Sequence, residues 1–248
     1  MQYQAWEQNQ ELVEEPDRTF IVVALDLLSG LTQGLGSQIV PLVAQTEPSL
    51  IQLMAVCLKH QEAPVRQSAH ALLGDLAISC FDLLRPFLPE IMPQVIMQIE
   101  AEPEPEAISV CNNAAWAVGE IALQFASDAQ SILPYVPALI ERLVPILLNP
   151  RSPKSLSENA AVTIGRIGLV CPAAVAPELA TFAQAWCIAL WEIKDNEEKD
   201  SAFRGFCMMV SQNPAGLETV SYKTCKTLTS TELCVVLQCR LQMANTIA

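Results

Sequence analysis

"PVRQSAHALLGDLA", Pro64 to Ala77, decides the fold. It shows no polar–apolar alternation, so it does not read as a half-buried strand. A turn proline opens it, tolerated at the first turn of a helix and disfavoured further in. Val65-Arg66 follow, then Ala69 and Leu73-Gly74 at helical spacing. The pattern recurs in "VVALDLLSGL" from Val22, "QSAHALLGDL" from Gln67, "NNAAWAVGEI" from Asn112 and "ENAAVTIGRI" from Glu158. In each, an alanine precedes a small residue by five, and an aliphatic follows two later. The triplets are Ala24/Ser29/Leu31, Ala69/Gly74/Leu76, Ala114/Gly119/Ile121 and Ala160/Gly165/Ile167, with a weaker fifth copy at Ala202/Cys207/Met209. Successive alanines lie 45, 45, 46 and 42 residues apart. A period in the mid-forties is that of the HEAT class of helical repeat. The small residue has a packing reason, because close helix–helix approach excludes a large side chain there.

Between these segments lie other helix-like stretches, about 38–60, 84–100, 130–148 and 173–194, each opened by proline-rich turns. Pro86, Pro89 and Pro93 fit an irregular first turn better than a helix interior. The fold expected is an all-α HEAT-repeat solenoid of four to five antiparallel helix pairs over residues 1–217. Each repeat packs mainly on its neighbours, and the stack curves to leave an extended concave surface. By analogy with HEAT solenoids, the second helix of each pair, which carries the Ala/Gly pattern, lines the concave side.

Composition narrows the function. Asp and Glu number 27 against 14 Lys and Arg, a formal charge of −13. No basic stripe offers itself to phosphates, so direct nucleic-acid binding is not expected. Acidity suits basic partners, or simply solubility. The nine cysteines are dispersed and contain no CxxC pair, as in chains that use cysteine as a small core hydrophobe. The N-terminus "MQYQAWEQNQELVEE" is polar and acidic, unlike a signal or transit peptide. No apolar run is expected to reach the roughly 18 residues a bilayer span needs. "AAVAPELATFAQAWCIALW" comes nearest, and Pro177, Glu178 and Gln184 interrupt it.

"ISVCNNAAWAVGEIAL", Ile108 to Leu123, shows two faces. At about 100° per residue, Val110, Ala114, Ala117 and Ile121 share one stripe, with Val118 and Phe125 at its edge. Ile108, Asn112, Trp116, Gly119 and Leu123 form a second stripe nearly opposite. Trp116 therefore stands off the main packing face. It either seals against the next repeat or faces a ligand. The equivalent positions are Ala71 and Val162, so one repeat alone carries a large aromatic, and a tryptophan beside asparagines has the makings of a binding hot spot.

Several ordered segments resemble the transportins, the karyopherin-β2 family of nuclear import receptors. They are "FIVVALDLLSGLTQGLG", "PVRQSAHALLGDL", "ISVCNNAAWAVGEI", "LSENAAVTIGRIGLVCP" and "IKDNEEKDSAFRG". The resemblance covers roughly residues 5–217. It implies a portion of a long HEAT superhelix that carries cargo between cytoplasm and nucleus. Family members bind extended proline-tyrosine nuclear localisation signals, in which a hydrophobic or basic segment precedes an Arg-x-x-Pro-Tyr element. Implied partners are cargo proteins bearing such signals, RNA-binding proteins among them, and the FG-repeat proteins of the nuclear pore. The family's Ran-GTP site lies in the N-terminal half, and a second tryptophan region reads the Pro-Tyr end. Both fall outside the matched stretch, so a truncated form is expected.

By resemblance, Trp116 packs on the hydrophobic segment of the cargo. Ile108 and Asn112 lie beside it, with Asn159 and Val162 contributed by the following repeat and an acidic contact at Asp75. Apolar groups buried on Trp116, Ile108 and Val162 would each contribute about 1.5–3 kcal/mol. Asn112 and Asn159 would hydrogen-bond an extended backbone. Asp75 would pair with a cargo Arg or Lys, a pair worth about 0–1 kcal/mol if exposed. Val162 stands where the family commonly has isoleucine, giving a slightly smaller wall.

Residues 218–248 diverge from the family and are expected to pack poorly. The insert 100–107 reads as a solvated acidic loop, and "IKDNEEKDSAF" as a solvated turn and helix start. Trp186 and Trp191 read as packing or convex-surface residues. No P-loop, GxSxG, HExxH or zinc-ligand spacing is found, so neither enzyme activity, a cofactor nor a metal is expected. His60 and His70 fall on different helices. The alternative function is a general HEAT scaffold that joins folded proteins without transport.

Overall fold

The computed structural model describes residues 17–191 and 193–217. The tail 218–248 and Trp6 lie outside the described residues. Nine helices of eight or more residues are found among those described, and no strand. They are α1 (Thr19–Leu35), α2 (Leu50–Cys57), α3 (Ala63–Ser79), α4 (Leu88–Met97), α5 (Ile108–Gln124), α6 (Val136–Leu148), α7 (Lys154–Val170), α8 (Leu179–Trp191) and α9 (Glu197–Gln212).

Local chemistry accounts for several of these boundaries. Ser49 caps α2, and Asn196 caps α9 by accepting from the Lys199 amide at 2.8 Å. Glu197, Glu198 and Asp200 fill the first turn of α9, where the helix dipole favours negative charge. Proline is the second residue of α3, α4 and α6. The first helix of a pair begins brokenly in three successive repeats. A four-residue helix (Phe81–Leu84, Ala129–Ile132, Pro172–Val175) leads into a 3₁₀ turn holding Pro86, Pro134 or Pro177, then into α4, α6 or α8. This is the irregular entry expected from the prolines.

Pro93 corrects that expectation, since it lies inside α4, as Pro145 lies inside α6. Each removes the N–H that would bond four residues back. Packing holds the helices regardless, with Leu88, Ile91, Met92, Val95 and Ile96 buried along α4. A second correction concerns hydropathy. Three helical stretches, Thr19–Ala44, Ala129–Leu148 and Pro172–Trp191, are long and apolar enough to cross a membrane by length and composition. The last two owe this to faces buried against neighbouring repeats. The first carries an exposed stripe of Phe20, Val23, Leu27 and Leu31.

The helices form two layers. The second helices α1, α3, α5, α7 and α9 lie side by side in that order. The first helices α4, α6 and α8 pack on one another and on the second helices that follow them. One contiguous apolar core runs between the layers. Ala69, Ala114, Ala160 and Ala202 are wholly buried, as are Leu76, Ile121, Ile167 and Met209. The first copy departs from the pattern. Ala24 and Leu31 are exposed, and α1 buries Leu25, Ser29 and Thr32 instead.

The glycines explain the spacing of the inner layer. A Cβ on Gly165 would stand 2.6 Å from the Ala202 Cα, and one on Gly205 would stand 1.8 Å from the Gly165 carbonyl oxygen. Both obstacles are backbone, which cannot swing aside. A Cβ on Gly119 would meet the Thr163 hydroxyl at 2.8 Å.

Gly205→Ala is therefore expected to destabilise the chain by about 3 kcal/mol or more, lowering Tm by roughly 6–12 °C in calorimetry. Gly30→Ala, in α1 with nothing within 4 Å, should instead stabilise by about 0.5–1 kcal/mol.

Candidate functional site

The two faces of α5 are as its periodicity foretells. Val110, Ala114, Ala117 and Ile121 are buried, while Ile108, Asn112, Trp116 and Leu123 of the second stripe are half-buried and its Gly119 is buried. Trp116 is neither a free surface group nor a core filler. Its six-membered ring lies on Gly74 of α3, so closely that a Cβ there would stand 2.1 Å from Cζ3. Its indole Nε1–H donates to Glu198 Oε1 of α9 at 3.2 Å. One side chain on α5 thus touches the repeat before it and the repeat two after it.

Amides continue this face. Asn113 Nδ2 donates to the Gln67 carbonyl at 3.1 Å, and Asn159 Nδ2 donates to Asn112 Oδ1 at 3.1 Å. Asn112 and Asn159, predicted from separate repeats to serve one site, are therefore in direct contact. Together with Ile108 and Trp116 they make a half-buried strip across α5 and α7.

The other two predicted contacts lie deeper. Asp75 is 4% exposed, and its carboxylate accepts from the Ser29 hydroxyl and from Gln33 Nε2, the latter at 3.1 Å to each oxygen. The expectation of an acidic group open to a basic side chain is corrected, because α1 packs beside α3 and supplies both donors. Burial pushes the Asp75 carboxyl above its ordinary value, against the opposing pull of the Ser29 and Gln33 hydrogen bonds. Val162 is 3% exposed and belongs to the α7 core. Buried there, it offers the strip little exposed wall.

The sequence reading missed a second polar line. Asp75, Glu120 and Arg166 each follow the glycine of their repeat, and all three are buried. Arg166 Nη1 pairs with Glu120 Oε1 at 2.6 Å, its Nε donates to Ser201 Oγ at 3.1 Å, and its Nη2 lies 3.8 Å from Glu198 Oε1. Burial raises the Glu120 carboxyl above its usual range, Arg166 opposing and the acidic neighbours Glu198 and Asp75 adding to the rise. The signal was present as Asp, Glu and Arg at one repeat offset.

"IKDNEEKDSAF" is likewise more than a solvated turn. Lys199 is buried, donating to the Ile193 carbonyl at 2.9 Å and to Asp195 at 3.2 Å. The insert 100–107 keeps Glu104 and Glu106 exposed, while Glu102 pairs with Arg151 at 3.1 Å. Trp186 is fully buried, stacked on Phe206 at 4.2 Å and bonded to the Ala161 carbonyl, while Trp191 is partly exposed. His70 is buried with Nδ1 on the Arg66 carbonyl, and burial lowers its pKa to about 4. Among the described residues no group of three or more His, Cys, Asp or Glu could hold a metal ion.

Paired helices in two layers, joined through small residues at a fixed repeat offset, define a helical-repeat solenoid of the armadillo/HEAT type. A designed armadillo repeat protein, YIII(Dq)4CqI, superposes with a TM-score of 0.64 over 91% of this chain and 95% of its own, at 18% identity, which establishes the fold alone. Sequence carries the relationship further. The chain is 49% identical over 207 residues to transportin-1 of Mus musculus and 50% identical over 204 residues to transportin-1 of Homo sapiens, covering 84% and 82% of itself. It is 45% identical over 210 residues to importin subunit beta-2 of Schizosaccharomyces pombe. Over this span the chain is similar to transportin-1 and importin subunit beta-2, and it spans 22% of the length of each of these three relatives. No family model matches it.

Arg166→Met should cost about 3–5 kcal/mol, since Glu120 is then buried without its partner, whereas adding Glu120→Leu should recover most of the loss. Urea denaturation of the two single and the double variants measures this. Asp75 has its pKa raised on folding, so its contribution to stability is complete below its ordinary value near 3.8 and is lost as pH rises through the folded value. The stability of D75N relative to the parent chain should therefore improve between acid and neutral pH, as read by denaturation across that range.

Proposed function

We propose that this chain forms part of the cargo-binding surface of a nuclear import receptor that shuttles between cytoplasm and nucleus. The signal it takes is an extended proline-tyrosine-type localisation peptide, with the hydrophobic segment on α5. The observation that carries this reading is the half-buried Trp116 ring beside Ile108, Asn112 and Asn159 on one strip of the inner layer. A planar apolar ring bordered by amides suits a peptide that offers apolar side chains and an unpaired backbone. Asn112 and Asn159 now bond each other, so a bound backbone would exchange that bond for its own. A net charge of −13 favours basic signals, chiefly through association rate.

Contact with pore FG repeats, and release by Ran-GTP in the longer receptor, belong to the same proposal. What supports the pore contact is a largely apolar cleft of about 200 Å³ lined by Leu88, Pro89, Met92, Phe125, Ile132 and Tyr135 together with Arg85 and Ser131. A general scaffold is the second reading, and the seat of Trp116 on Gly74, between repeats, favours it.

Calorimetry with a peptide that carries a hydrophobic segment followed by Arg-x-x-Pro-Tyr separates the two. Trp116→Ala should weaken binding about thirtyfold or more while leaving the circular dichroism spectrum intact. Equal affinity of the parent chain and W116A would leave the scaffold reading standing.

A further inference from the structure

The geometry points to Glu198 as a positioning residue for Trp116, one that holds the indole ring over Gly74 and so presets the face α5 offers to a ligand. The inference rests on the proposed reading of Trp116 as a contact residue.

An indole has one hydrogen-bond donor and no acceptor, and a half-buried one needs a partner for it. That partner here is a carboxylate 82 residues away in sequence, at 3.2 Å. A donor to an ionised acceptor makes a stronger bond than a neutral pair. The ring therefore has two fixed points, Gly74 against its six-membered edge and Glu198 at its nitrogen, on opposite sides of α5.

The carboxylate is itself held. Glu198 sits in the first turn of α9, behind the Asn196 cap, with its side chain 39% exposed. Arg166 Nη2 faces it at 3.8 Å, and Arg166 is anchored by Glu120 at 2.6 Å and Ser201 at 3.1 Å. Ser201 in turn donates to the Glu198 carbonyl at 2.8 Å. The line Glu120–Arg166–Glu198–Trp116 thus starts and ends on α5 after crossing α7 and α9. The indole is in register only while those three helices keep their spacing, which ties the shape of the face on α5 to the packing of the following two repeats.

A positioning role differs from simple packing in what the conservative variant does. Gln at 198 keeps an oxygen that can accept from the indole, whereas Ala keeps nothing. The test uses the full chain, ¹⁵N-labelled, with the Trp116 Nε1–H resonance assigned by its loss in W116F, and calorimetry with the same signal peptide. E198A should move that resonance away from its hydrogen-bonded position and weaken the peptide about tenfold, with Tm close to that of the parent chain. E198Q should keep the resonance near its original position and bind within about threefold of the parent chain. An unmoved resonance in E198A overturns the proposal, and so does an E198Q variant as impaired in binding as E198A, which would mean that charge rather than ring position matters. If W116A binds the peptide as well as the parent chain does, the contact reading of Trp116 and the role of Glu198 in binding both fall. The resonance in E198A still shows separately whether Glu198 fixes the ring.

Discussion

How near one second helix can come to the next governs the whole molecule. At the α7–α9 joint the answer is backbone contact, with the Gly205 Cα facing the Gly165 carbonyl and no room for a single carbon between them. Once that distance is set, the first helices must ride outside, the alanines at the repeat offset must be buried, and the residues flanking each glycine must face the neighbouring repeat. Close contacts hold the layer of second helices together, while the proline-broken entries of the first helices leave the other layer irregular.

The joints are not equivalent. Where α3 meets α5, the space beside Gly74 is filled by the Trp116 ring rather than by backbone. Where α5 meets α7, Gly119 meets a threonine hydroxyl and the Arg166 side chain. Charge follows the same asymmetry. Asp75 is satisfied by neutral donors from α1, while Glu120 faces a guanidinium from α7. A buried pair of this kind gives little net stability over an apolar substitute and exacts a large penalty when one partner is missing.

The repeat, the all-α class and the two faces of α5 were legible because they depend on local spacing, which periodicity reports directly. The broken entries of the first helices were legible for the same reason, through their prolines. Pro93 was misplaced because packing along α4 overrides a local preference. Asp75 was read as a cargo contact from the family resemblance, and nothing within α3 reveals Ser29 and Gln33 waiting on α1. The partner of Trp116 was beyond reach in principle, since Glu198 meets it only after two further repeats have packed into place. The two later stretches apolar enough for a membrane, Ala129–Leu148 and Pro172–Trp191, show how a helix touched on several sides can carry more hydrophobic surface than its amphipathic pattern foretells.

The residues that follow the glycines make the repeats non-interchangeable. A solenoid is often pictured as modular, so that a unit can be removed or duplicated and the stack simply closes up. Here Asp, Glu and Arg occupy one offset in successive units, and each is matched to the neighbour it has. Excising the unit that carries Glu120 would bring Arg166 beside Asp75, whose oxygens are already committed to α1, and would strip Gly74 of the ring that fills its notch. The order of the units is thus written into their buried charges, and the chain tolerates drift on its outer face far more readily than any rearrangement of its parts.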